Sequence, residues 1–305
     1  MTTIKNDIGN SSNVSADINE NNIRTDIPDI LDILLIDRTT STPKKVKNII
    51  WANENYIQYG AKYYGPKSQM KPELLTGIMS NIIKPRSLKS RVLQKERTKA
   101  KGEVFTPTWV VKKQNDEIDK SFQKDDLETY VSRTWIEITC GEAPYMVSRY
   151  DMESGEVIPL AERVGFVDRK LKRINEEVND KAEWQRLVVE AYKSSYGFEW
   201  SGDSLLIARE NMLYSYRDFY YEKWLEEPLS GLFKDIAEII SYNVFQMDGM
   251  KYIIPLSEKI EKRSEVQLSL FQDGPVNNEI VKPGKRVKIM NWKTNKMEFF
   301  DKGVK

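Results

Sequence analysis

With 305 residues, 40% of them hydrophobic and 30% charged, the chain can bury one substantial core plus an appendage, and it holds no apolar run long enough to span a membrane. It contains no histidine, which excludes histidine general bases, Ser-His-Asp triads and most zinc centres; no metal site is expected, and the single cysteine, Cys140, excludes an internal disulfide framework. The net charge of +1 leaves any nucleic-acid partner to be argued from local clusters, while the polar start and the cysteine use fit a reducing cytoplasm.

Residues 1–25, rich in Asn, Ser, Asp and Thr, read as a disordered arm, and residues 26–101 as an N-terminal lead-in and basic region. Within it, residues 27–36 carry apolar side chains at helical spacing and residues 46–51 read as a short strand. Tyr56, Tyr59, Tyr63 and Tyr64 share a helical face, better explained as a packed aromatic stripe than as a base-stacking platform. Over residues 84–101 charge concentrates: Lys84, Arg86, Lys89, Arg91, Lys95, Arg97, Lys99 and Lys101 stand against Glu96 alone, a local charge of +7. Such density suits neutralising phosphates and releasing counterions, although a solvated basic helix explains the same run. Its place directly before Gly102 favours a channel that lays DNA beside whatever the next segment holds.

A charged stretch over residues 112–126 closes a helix and a surface loop. Residues 135–139, Trp-Ile-Glu-Ile-Thr, then run into Cys140-Gly141, the pattern of a buried strand ending in a tight turn. In a doubly wound sheet the ligand lies over the carboxyl ends of the strands, a glycine lets backbone approach it, and a nearby acid accepts its polar hydrogens. Gly141 and Glu137 stand in those two places, while an ordinary strand and turn gives the same pattern and one glycine falls short of a Gly-x-Gly-x-x-Gly fingerprint.

Residues 146–152 read as a short helix broken at Glu153-Ser-Gly155. Residues 164–168, Val-Gly-Phe-Val-Asp, read as the second strand, with Asp168 at its ribose-binding end or, alternatively, as a helix cap. One long amphipathic helix is expected from Arg169 to about Tyr196. Another, carrying Leu206, Met212, Leu213, Tyr216 and Phe219, starts behind Asp203-Ser204, which an N-cap explains without any ligand. Residues 232–240 carry helix into a strand that ends over residues 241–246. Residues 256–284 read as a charged, turn-rich linker and residues 285–305 as a C-terminal hairpin turning around Asn291 to Asn295.

Gly102-Glu-Val-Phe-Thr-Pro107 resembles the Gly-x-(Phe/Tyr)-(Tyr/Phe)-Thr-Pro segment that opens the S-adenosylmethionine domain of adenine-specific DNA methyltransferases of restriction-modification systems. Downstream, Glu137-Ile-Thr-Cys-Gly-Glu-Ala-Pro-Tyr145 resembles that family's Asp-Pro-x-Cys-Gly-x-Gly-x-(Phe/Tyr), with the acid, Cys140-Gly141 and the final aromatic matching and Ala143 in place of the second glycine. The resemblance covers residues 102–255. It implies an α/β fold, a Rossmann-like methyltransferase sheet with helices on both faces, that moves a methyl group from S-adenosylmethionine to the exocyclic amine of adenine in DNA. It implies that Phe105, Thr106, Pro107, Glu137, Cys140, Gly141, Asp168 and Asp203 contact the cofactor, Asp203 as the family's third acidic element.

The resemblance also sets residues 241–246, Ser-Tyr-Asn-Val-Phe-Gln, where the family has its catalytic (Asn/Asp/Ser)-Pro-Pro-(Tyr/Phe/Trp) loop. There Asn243 would accept a hydrogen from the amine, and Tyr242 or Phe245 would stack on the flipped base. The two prolines are missing and the aromatic comes one residue early. The competing reading is a non-catalytic DNA-binding or assembly subunit of a restriction system that keeps the fold while its catalytic loop has drifted. No large target-recognition domain follows, so base reading falls to the N-terminal part or to a separate restriction or specificity subunit.

In the linker, Gln267-Leu-Ser-Leu-Phe271 resembles the Gln-Leu-(Ser/Asp)-Leu-Phe motif by which bacterial replication and repair proteins dock into the sliding clamp. Gln267, Leu268, Leu270 and Phe271 on an exposed tether call for a partner groove; a strand packing back on the chain's own core accounts for the same alternation.

Overall fold

A computed structural model of the protein describes residues 29–89, 98–99, 106–262 and 279–302. The expected arm over residues 1–25, the site candidates Phe105, Arg91, Lys95 and Arg97, and the pentapeptide of Gln267, Leu268, Leu270 and Phe271 lie outside the described residues.

Three short runs rich in β-branched and aromatic residues pair side by side: β1 (Trp135–Glu137), β2 (Ser195–Glu199) and β3 (Val244–Gln246), all parallel and in that order. Trp135 faces Ser195, Gly197 faces Val244, and Glu199 faces Gln246, so β2 and β3 finish level while β1 ends beside Gly197. Alternation along β2 sorts its two faces. Tyr196 and Phe198 join Phe245, Met247, Ile254, Val287 and Ile289 in a small core. Ser195 and Gly197 turn the other way, Ser195 donating to Ala191 O and Gly197 leaving room for Met146 and Cys140.

Eight α-helices complete a mixed α/β arrangement among the described residues: α1 (Ile30–Leu35), α2 (Ala61–Tyr64), α3 (Thr108–Asp119), α4 (Leu127–Ser132), α5 (Phe166–Glu177), α6 (Lys181–Lys193), α7 (Gly202–Trp224) and α8 (Ser230–Asn243). None of them is long and apolar enough to cross a membrane. The helix α7 is the spine of the main core, with Leu205, Leu206, Ala208, Leu213, Tyr216 and Tyr220 all buried. A surface helix shows one apolar stripe; α7 also buries Asp203, Arg209, Glu210 and Asn211, as a helix packed on all sides must.

The single helix expected from Arg169 to Tyr196 is two helices. Asp180 accepts from Glu183 N at 2.8 Å and starts α6 afresh, and the chain then enters β2 at Ser195. Residues 164–168 are not a strand: α5 begins at Phe166, and Asp168 accepts from the N–H of Gly165, the residue before the helix, at 3.1 Å. Residues 146–152 form turns rather than a helix, and residues 46–51 make only isolated bridges, Ile36 with Asn48 and Ile50 with Gln69.

Behind the sheet, β4 (Lys259–Lys262) and β5 (Glu279–Lys282) pair antiparallel within the stretch read as a linker. The C-terminal hairpin is present as β6 (Lys288–Asn291) and β7 (Lys296–Phe299); Asn291 Oδ1 accepts from Lys293 N and Thr294 N and so fixes the turn. Val287, Ile289 and Phe300 of this hairpin region, with Ile254, cover the Tyr196 and Phe198 face, where the expectation of helices on both faces had put a helix.

Candidate functional site

The chain leaves β1 through a loop with three residues in the left-handed region, Thr139 (φ 49°), Gly141 (φ 55°) and Ala143 (φ 66°). Only glycine adopts that region at little cost, so two of the three need outside support. Cys140 N donates to Phe198 O at 2.8 Å and Ala143 N to Cys140 O at 2.7 Å. Two strand-end carboxylates hold the rest: Gly141 N donates to Glu199 Oε2 at 2.9 Å, while Tyr145 N and Met146 N donate to the two oxygens of Glu137 at 3.2 and 2.9 Å.

Burial pushes the Glu137 carboxyl up to about 8; its two N–H partners pull the other way and the charge of Glu199 adds to the rise. Burial also raises Glu199, against the N–H groups of Ser201, Gly141 and Trp200. Glu137 is spent on the loop. Glu199 also accepts one N–H on each oxygen, from Gly141 and Ser201, but it is half-buried where Glu137 is buried, so its remaining lone pairs are the ones within reach of a ligand. Cys140 is buried with its thiol well above the ordinary range, chiefly through desolvation, so it is packing rather than a nucleophile.

Next in the loop, Glu142 is fully buried and accepts from Tyr150 OH at 2.8 Å and from Arg86 N at 2.7 Å. Burial raises its carboxyl, and the cation of Lys89 opposes the rise. The described part of the basic run therefore abuts the loop: Lys84 and Lys99 are exposed, Arg86 and Lys89 half-buried, and Arg86 reaches Thr98 Oγ1 at 3.3 Å.

The lead-in region crosses the carboxyl ends of β2 and β3. Gln246 receives Ile50 N at 2.9 Å and donates to Ile50 O and Trp200 O, both at 2.8 Å; Trp200 Nε1 donates to Ala52 O at 2.8 Å and Gly202 N to Trp51 O at 3.0 Å. Asp203 belongs to this tie. It lies inside the first turn of α7, where Ser201 holds the cap position, and accepts from Asn53 Nδ2 at 2.9 Å and Tyr56 OH at 2.8 Å.

No protein-family model, curated protein or solved structure matches the chain.

Of the residues singled out in the sequence, Glu137, Cys140 and Gly141 gather at this edge, with Asp203 behind them, and Thr106 and Pro107 lead into α3. Asp168 stands apart at the start of α5, fully buried, accepting from Ser148 N at 2.7 Å and from Gly165 N; burial raises it to about 6. Asn243 ends α8 at the amino side of β3. Its Nδ2 donates to the carbonyls of Tyr192, Lys193 and Ser195 at 2.9, 2.9 and 3.1 Å, and its Oδ1 accepts from Trp292 Nε1 at 2.9 Å. Tyr242 carries the Arg38 guanidinium 4.2 Å above its ring, and Phe245 is buried in the hairpin core. The helix runs to Asn243, a conformation that a proline at the next position would disfavour.

Sequence reasoning missed Glu199. The alternation of Tyr196, Gly197, Phe198 and Glu199 has the period of a strand ending in an acid, but the single helix expected from Arg169 to about Tyr196 overlaps the start of that strand.

Proposed function

We propose that this chain is a DNA methyltransferase-like protein of a restriction-modification system, with S-adenosylmethionine as methyl donor and the exocyclic amine of adenine in DNA as acceptor, working in the cytoplasm. The observation that carries the reading is the meeting of Glu137, Gly141 and Glu199 at the carboxyl ends of adjacent parallel strands, the place where doubly wound sheets hold nucleotides. On this reading the three strands are part of a Rossmann-like sheet. Glu199 accepts the ribose hydroxyls of the cofactor, Gly141 leaves space for it, and Glu137 fixes the loop from beneath. The cofactor itself supplies the electrophilic methyl group. The basic run beside Glu142 guides the DNA phosphates.

A second reading is favoured by one observation: every hydrogen-bonding atom of the Asn243 side chain that a base would need is already engaged. In that case the chain is the cofactor-holding and DNA-binding subunit of a methyltransferase assembly, and a separate restriction or specificity subunit completes it. The pentapeptide at residues 267–271 adds the bacterial sliding clamp as a proposed partner. Titration with S-adenosylmethionine, followed by transfer of labelled methyl groups to DNA, separates the readings. Binding with transfer supports the enzyme, binding without transfer supports the subunit, and absence of both overturns the cofactor assignment. Gly141→Leu is expected to abolish cofactor binding while the chain still folds.

A further inference from the structure

The four tyrosines of the lead-in region divide. Tyr56 and Tyr64 are buried, whereas Tyr59 and Tyr63 stand 47% and 50% exposed on a loop that also exposes Ile57 at 43%. Isolated exposed aromatics are ordinary on any surface, but this loop has two further properties.

The first is charge. Lys62 and Lys67 are exposed among these rings, Lys62 Nζ lies 5.2 Å from the centre of the Tyr63 ring, and the nearest acids in sequence, Glu54 and Glu73, stand at the two ends of the segment, where Glu73 pairs with Lys71. The second is rigidity. Tyr59 leans on Tyr64 (5.8 Å between centres), Tyr64 on the wholly buried Trp51 (5.4 Å), and Trp51 on Tyr56 (4.6 Å). Tyr64 OH is tied to Leu74 O and Trp51 Nε1 to Tyr63 O, both at 3.1 Å. Between the two exposed rings Gly60 takes φ 123°, a conformation that side chains rarely adopt, and its carbonyl receives Tyr63 N and Tyr64 N. The rings are thus presented on a fixed turn rather than left loose, which lowers the entropy lost when something stacks on them. The same segment crosses the carboxyl ends of β2 and β3 through Ile50, Trp51 and Ala52, so the loop is rooted at the edge that carries the candidate site.

Exposed rings interleaved with exposed lysines match an unpaired nucleic-acid strand, whose bases offer faces and whose phosphates offer charge. A protein groove would match the rings alone. We propose that Tyr59 and Tyr63, with Lys62 and Lys67, form a stacking platform for unpaired bases of a DNA strand beside the candidate site. The proposal rests on the DNA part of the function proposed above and adds to it the state of the DNA: a strand opened at the site.

The test uses the full chain and a fluorescein-labelled oligothymidylate of about fifteen residues, a length that spans one such site, followed by anisotropy, with a labelled duplex and an oligouridylate of equal length alongside. Tyr59→Ala/Tyr63→Ala is expected to weaken oligothymidylate binding about tenfold or more, with duplex affinity and thermal melting unchanged. Tyr59→Phe/Tyr63→Phe is expected to restore it, since stacking needs the ring and not the hydroxyl. Lys62→Gln/Lys67→Gln is expected to flatten the salt dependence by about 0.7 of a unit of slope per lost phosphate contact on the single strand. Equal affinity in the parent and the alanine variant overturns the platform, as does a clear preference for oligouridylate. A chain that binds duplex but no single strand overturns the platform and leaves the DNA reading standing; a chain that binds no nucleic acid removes both.

Discussion

The two ends of the parallel sheet are built from opposite chemistry. At the carboxyl ends, Glu137 and Glu199 are carboxyls raised by burial; Glu137 gives both of its oxygens, and Glu199 one, to the amides of a loop with three left-handed residues. At the amino ends the buried side chains that tie the backbone are basic, with the buried acid Asp37 beside Arg209. Lys170 Nζ donates to Arg133 O at 2.6 Å and Ser194 Oγ at 2.7 Å, and Arg209 donates to Val244 O at 2.7 Å, Ser241 O at 3.2 Å, Ile36 O at 3.0 Å and Leu34 O. The amino edge spends its donors on helix ends and strand starts, which is a structural use. The carboxyl edge holds backbone in a costly conformation and retains a half-buried acid with lone pairs to offer, which is the form of a binding site.

The contrast breaks most severely at Arg209. Arg209→Met leaves the carbonyls of Leu34, Ile36, Ser241 and Val244 without their donor, and a loss on the order of 4 kcal/mol is expected in urea denaturation. A loss under about 1 kcal/mol would show that water replaces the guanidinium and that the edge is looser than its geometry indicates.

The next effect is on pH dependence, a few kcal/mol across its window. Glu137, raised from 4.5 to about 8, keeps its proton in the folded chain where the unfolded chain has lost it. Its contribution is therefore full below pH 4.5 and is lost as pH rises toward 8. Lys170, lowered by burial from 10.5 to about 7, releases its proton on folding, so its contribution to stability grows between pH 7 and 10.5. Glu137→Gln is expected to flatten the first slope and Lys170→Met the second, in denaturation curves taken across pH. Unchanged slopes in both variants would remove the electrostatic distinction between the edges.

A smaller effect sharpens the comparison at the residue whose expected role the fold most alters. Asn243→Ala removes the side-chain donor to the carbonyls of Tyr192, Lys193 and Ser195, of which Tyr192 O keeps Ser194 N, and leaves Trp292 Nε1 without its acceptor, so about 2 kcal/mol of stability should go while S-adenosylmethionine affinity stays. Full stability with methyl transfer lost would return Asn243 to the reacting site.

Much of this arrangement is legible in the sequence where a local pattern is decided locally. Trp135-Ile-Glu137 running into Cys140-Gly141 is a strand and turn, although shorter than expected and with Ile136 and Ile138 exposed where a buried strand was expected; the α7 periodicity is a buried helix, and Asn291 to Asn295 turns a hairpin. The failures at Asp168 and Asp203 share one cause, a role settled by a distant partner. Asp168 reads as a strand-end acid until its bond to Ser148 N, twenty residues back, is seen, and Asp203 reads as a cap until Asn53 and Tyr56 arrive from the lead-in region. Glu199 was hidden because Asp180 restarts the helix and frees residues 195–199 to pair with β1.

The central claim is that the carboxyl edge is the ligand edge, and calorimetric titration with S-adenosylmethionine of the parent chain and of Glu199→Gln tests it most directly. The account predicts saturable binding of one cofactor per chain, weakened about tenfold or more in the variant as a charged acceptor is lost. The folded state is retained: the carboxamide oxygen introduced by the substitution still receives Gly141 N, and one bond, that from Ser201 N to the other oxygen, is given up. Equal affinity in the two proteins, or no binding by the parent chain, would contradict it.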